Sequence, residues 1–232
     1  MITTLAFSAF VAASLAWMGV RAIGDHRAAL AQREGLLNEA ATLLQGARIG
    51  LSSDRFPVLT GRLQDGRQAK VELIADTMVT RRLPQLWLRV TISEKVECAR
   101  PTIGALARPT GAEYYSLVHD MPVWMTPPDT NASLLTRGDG TATSEQAAQV
   151  ATLFRSLFAD PEVKEAVITP RGTRLIRQAA QGDRGSHMLL RQARFPLTAI
   201  PAGLVRQALA EAEALGMVLA EDEPVSPVYE AA

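Results

Sequence analysis

The stretch Leu86-Trp87-Leu88-Arg89-Val90-Thr91-Ile92 decides the fold class. Its aliphatic residues at even numbers alternate with Trp87, Arg89 and Thr91 at odd ones. Side chains on a strand point alternately to opposite faces, so this pattern makes a strand with one buried face. Working upstream, Thr80-Arg81-Arg82-Leu83-Pro84 connects it to a strand over Gln68 to Ala75, preceded by one over Phe56 to Leu63. Asp65-Gly66 between those two apolar runs is a hairpin turn. Downstream, Tyr114 to Val118 and Val123 to Met125 are expected as short strands. A loop with two prolines and several Gly, Asp and Asn residues fills Thr126 to Thr143 and offers a sub-boundary at 126–143.

Helical spacing appears beyond that loop. Ala147, Val150, Ala151, Phe154, Leu157 and Phe158 form one apolar stripe, with Thr143 or Ser144 as cap and Asp160-Pro161 as stop. Val163 to Thr169 and Thr173 to Ala179 flank a turn at Pro170-Arg171-Gly172, and His187 to Phe195 is expected as a further strand. Pro201 opens a second amphipathic helix, with Leu204, Val205, Ala208, Leu209, Ala212 and Leu215 on its inner face. The fold class is therefore α+β: an antiparallel sheet-rich domain over 51–220, helices on one face, and a flexible tail over 221–232.

The N-terminal segment has a different character. No charged side chain precedes Arg21, and residues 1–23 are long enough to cross a bilayer as one helix. Thr3, Thr4, Ser8 and Ser14 dilute its apolar character, and Trp17 suits a headgroup layer. A cleaved signal peptide is the rival reading, with Ser14-Leu15-Ala16 as cleavage site, but it lacks the basic leading region. Arg21, Arg27 and Arg33 follow the apolar run, which places the N-terminus outside and the domain in the cytoplasm. The expectation is a single-pass transmembrane anchor, bound to the lipid bilayer through residues 1–23, as in a bacterial inner membrane.

Residues 24–50 are expected to continue as a juxtamembrane helix ended by Gly46 and Gly50. Leu30, Leu37 and Leu44 recur every seven residues, the period of a helix-packing seam. That seam either binds a partner protein or a second copy, or lies against the chain's own domain.

Composition narrows the function. The chain has 232 residues, with Lys plus Arg and Asp plus Glu at 24 each and no net charge. A nucleic-acid binder carries a basic excess, which is missing. One cysteine, Cys98, excludes an internal disulfide and fits a reducing compartment. Cys98, His119 and Asp120 are the nearest approach to a nucleophile with a base, yet nothing in the sequence brings them together. The histidines His26, His119 and His187 have no ligand spacing, so no metal or other cofactor is implied. Gly138-Asp139-Gly140 lacks the paired acids of a calcium loop and is a turn, as is the stretch from Arg184 to Met188. Arg171, Arg174, Arg177, Arg191 and Arg194 share no single strand face. Arg81 and Arg82, in a tight connection, are candidates to meet headgroups or a partner's carboxylates. The sequence therefore implies a membrane-anchored accessory or protein-interaction module, with candidate surface Leu30, Leu37, Leu44, Arg81 and Arg82. The alternatives are a membrane-tethered enzyme and an exported domain.

Overall fold

The structure, a computed structural model, describes residues 2–77, 83–185, 187 and 193–219; within the first helix it describes the side chains of Phe7, 9–24 and 27–34. The expected connection at Arg81 and Arg82, Arg191, most of the strand over His187 to Phe195, and the tail over 221–232 lie outside these residues. Of that last strand, 187 is helical and 193–195 have no regular structure.

Helix α1 runs Ile2–Glu34, and a short 3-10 helix, Glu39–Leu43, follows. Four strands come next: β1 Gln45–Leu51, β2 Pro57–Arg62, β3 Gln68–Asp76 and β4 Gln85–Ser93. Then come β5 Ile103–Ala107, β6 Val123–Met125 and β7 Leu134–Gly138. Helix α2 is Ser144–Leu157, β8 Val163–Thr169, β9 Gly172–Gln181 and helix α3 Ala202–Met217. Among the described residues, all strands join one nine-stranded sheet in the order β1-β2-β3-β4-β9-β8-β5-β7-β6. Every pairing is antiparallel. The protein is thus α+β, with a large antiparallel sheet and a few helices.

The expected juxtamembrane helix over 24–50 is corrected. The α-helix stops at Glu34, before Gly35; the chain continues through turns and the short 3-10 helix, and Gln45–Leu51 is an edge strand. Glycine costs a helix about 1 kcal/mol relative to alanine, and Gly46 has φ 59°, which no helix accepts. The expected sub-boundary at 126–143 also fails, because β7 lies inside it and pairs with β5 in the common sheet. Tyr114 to Val118 is not a strand; the chain there turns into a short 3-10 helix, Val118–Asp120.

The alternation read at Leu86 to Ile92 holds. Leu86, Leu88, Val90 and Ile92 are fully buried in the main core, with Leu59, Val71, Ile103, Ala166 and Leu175 from neighbouring strands. Val150 and Phe154 of α2 and Val205, Ala208, Ala212 and Leu215 of α3 cover that same face. Thr143 caps α2 in a reciprocal box: its hydroxyl accepts from the Gln146 N–H at 3.2 Å, and its own N–H donates to Gln146 Oε1 at 3.0 Å.

One connection shapes the sheet. The chain leaves β4, skips the places later taken by β9 and β8, and enters β5 on their far side. Arg100, nearly fully buried, fastens this crossover by donating to the carbonyls of Thr169 and Gly216 and to Glu94. At the β8–β9 turn, Gly172 is required by space, since a Cβ there would stand 2.0 Å from the Ile92 carbonyl oxygen.

Among the described residues no helix is long and apolar enough to cross a membrane. The span expected over residues 1–23 is therefore not established by the fold.

Candidate interaction surfaces

The first surface is α1 itself. Phe7, Phe10, Leu15, Trp17, Met18, Val20 and Ile23 are each more than half exposed. At 3.6 residues per turn these positions fall on every side of the helix. Among the described residues, the contacts of α1 with the domain lie at its root. Gln32 donates to the Leu197 carbonyl, Glu34 pairs with Arg55, and the Arg33 guanidinium lies 5.2 Å over the Phe56 ring. The Ile200 N–H bonds the Leu36 carbonyl at 2.8 Å. Beside this root is a cleft of about 520 Å³ lined by Gln32, Arg33, Phe56, Arg194 and Phe195.

The heptad leucines end up apart from any helical seam. Leu30 is half-buried on α1, whereas Leu37 and Leu44 lie beyond the helix and are buried in the domain core with Leu36 and Ala40. They are unavailable to a partner. Arg81 and Arg82 are outside the described residues; the ends of their connection leave β3 and enter β4 at the same end of the sheet as the Arg55 turn and the α1 root.

The second surface is the sheet face away from the helices. Part of it is covered by the segment 108–121, which places Val118 and Met121 on Leu106, Leu135 and Val167, and Tyr115 on Trp87 and Ile176. Buried charges hold that cover down. Lys164 Nζ donates to the carbonyls of Ala107 at 2.8 Å and Arg108 at 3.0 Å, and to Glu113 Oε1 at 2.8 Å. Glu113 also accepts from the Thr110 hydroxyl and the N–H groups of Thr110 and Gly111, and its Oε2 is 3.2 Å from His119 Nε2. Burial raises the pKa of the Glu113 carboxyl, but Lys164 and Thr110 outweigh it and hold that pKa down at about 2. Arg174 donates to the Tyr115 carbonyl, and the Leu117 N–H bonds Glu165 at 3.1 Å. Burial raises the Glu165 pKa against the pull of Arg174. Each of these groups is engaged by backbone or by an opposite charge, which suits fastening rather than proton transfer.

Cys98 and His119 do not meet. The Cys98 N–H bonds the Pro170 carbonyl at the β8–β9 turn, while His119 faces Glu113. Among the described residues no group of three or more His, Cys, Asp or Glu is placed to hold a metal ion.

The rest of this face, over β1 to β4, is open. Arg48, Thr60, Lys70 and Thr91 stand in one cross-strand row; Arg62, Gln68 and Ser93 stand in the next. Together they line a trough of about 700 Å³ containing Arg48, Arg62 and Lys70 and no carboxylate. Glu72, one row away, is taken by Lys70 at 2.9 Å and by Arg89 at 2.8 Å. Among the described residues Arg48 and Arg62 have no ion-pair partner. Sequence reading missed this trough because its cations come from three strands, one of them read as helix. The period-two spacing of Thr60 with Arg62, and of Gln68, Lys70 and Glu72, was the signal that could have found it.

Comparison of the chain with protein-family models, curated proteins and solved structures gave no match.

Proposed function

We propose that the chain is a membrane-tethered interaction module, with α1 in the lipid bilayer and the sheet domain in the cytoplasm. One observation carries this reading: large apolar side chains exposed on all sides of a helix whose contacts with the domain, among the described residues, lie at its root. A helix that is apolar all round needs lipid or protein about it, because water would oppose each exposed side chain. The 33 residues of α1 provide about 50 Å of length at 1.5 Å per residue, enough to cross the hydrocarbon layer and leave a stalk. Arg21, Arg27 and Arg33 follow the apolar stretch on the domain side, which favours the cytoplasm for the domain. The buried charges fasten a cover rather than form a reactive pocket, which favours binding over catalysis.

The test is extraction of native membranes with alkaline carbonate, combined with protease treatment of intact and opened spheroplasts. The chain should stay with the membrane, and its domain should be cut only after opening. Release by carbonate overturns the anchor, and cutting in intact spheroplasts overturns the orientation.

A further inference from the structure

We propose that the outer edge of β1, with the basic trough beside it, receives an extended acidic segment of a partner protein as an additional strand. This deepens the interaction-module reading and rests on it, while being independent of the membrane tether.

The backbone supplies the first argument. β1 ends the sheet and pairs only with β2, so among the described residues nothing bonds to its other side. Such an edge is a template for strand addition unless it is short, bulged or covered. The register shift between Gln45 and Arg48 blunts its start, which leaves Arg48 to Leu51 in regular pairing. The opposite edge, β6, spans only Val123–Met125.

Side chains define the segment that fits. Ile49 pairs with the core residue Leu59, so Ile49 and Leu51 belong to the apolar face, yet they are 40% and 47% exposed because no strand lies beyond them. Arg48 belongs to the opposite face, beside Thr60 and Lys70. An incoming strand would therefore place apolar side chains next to Ile49 and Leu51, and carboxylates toward Arg48 and Arg62, Lys70 being already paired with Glu72. This alternation of apolar and acidic residues is the chemistry the edge selects. Self-pairing of two β1 edges would bring Arg48 of each copy to a common face with no acid between, which disfavours a second copy as the occupant.

The experiment uses the full chain in detergent micelles and a fluorescent synthetic peptide of alternating Val and Glu. Anisotropy should report saturable binding. The pair R48E and R62E, both exposed sites, should weaken it by about tenfold or more, with the melting temperature retained to show folding. The same double variant should bind a Val-Lys peptide that the unaltered chain rejects. N-methylation of alternate peptide residues removes backbone donors and should abolish binding. Equal binding of the Glu and Lys peptides, insensitivity to N-methylation, or no binding overturns the proposal. A gain in affinity on deleting residues 220–232 would make the chain's own acidic end the occupant, and would also overturn it. None of these results alters the carbonate extraction, so failure of the site and failure of the tether are distinguishable.

Discussion

Lys164 and Glu113 matter more to the segment above them than to each other. The pair is almost fully buried, and removing one member of a buried pair leaves the other uncompensated, at a cost of about 3–5 kcal/mol. Glu113→Gln should lower stability to urea by that order at neutral pH. The pH dependence follows from the lowered pKa. The carboxyl sits at about 2 in the folded chain against 4.5 for the free group. Its stabilisation is therefore complete above 4.5 and is lost as pH falls from there toward about 2. Urea titrations across that range should show the gap between the unaltered chain and the variant closing as pH falls. A constant gap would assign the pair's effect to shape alone.

At the scale of elements, sequence patterns were legible wherever burial was one-sided. β4, α2 and α3 each present one main buried face, and each could be read; the β8–β9 hairpin, buried on both faces over much of its length, was legible through its turn at Pro170-Arg171-Gly172. β5 could not, because Ile103 to Ala107 are buried on both faces and show no alternation. β1 failed for the opposite reason: an edge strand with two glycines and almost no burial leaves no period at all. The leucine heptad misled because Leu37 and Leu44 are core residues that happen to fall seven apart. Leu37→Asn and Leu44→Asn should each sharply lower the melting temperature, since burial of a leucine is worth about 1.5–3 kcal/mol and an unpaired amide adds a penalty. Leu30→Asn, at a half-buried site, should lower it less. Equal effects at all three would restore a common role for them.

For the whole molecule, the candidate surface was less legible than the fold. Period-two spacing tells which residues share a strand face, but the trough depends on which strands are neighbours, and that order is a property of the closed sheet. The Arg48, Thr60, Lys70 and Thr91 row exists only because β1 to β4 form a meander in register. The cover over the other half of that face depends on charges from β8 meeting the loop after β5, groups some 50 residues apart in sequence.

The crossover from β4 to β5 also sets a timetable. Translation delivers β1 to β4 first, and they can pair as they emerge. The inner neighbour of β4 is β9, and β5 has its places beside β7 and β8. Until the ribosome has passed Gln181, the half-sheet carries an unsatisfied apolar border at Leu86 and Leu88, while β5 has nowhere central to join. Stalled nascent chains ending before Val163 should be cut readily within β4, and chains extended past the end of α3 should resist. Early resistance would mean that β4 finds protection without its native neighbour. The β8–β9 hairpin is thus a late-arriving keystone, and the interval before it is made is when this chain is most exposed to degradation and to chaperones.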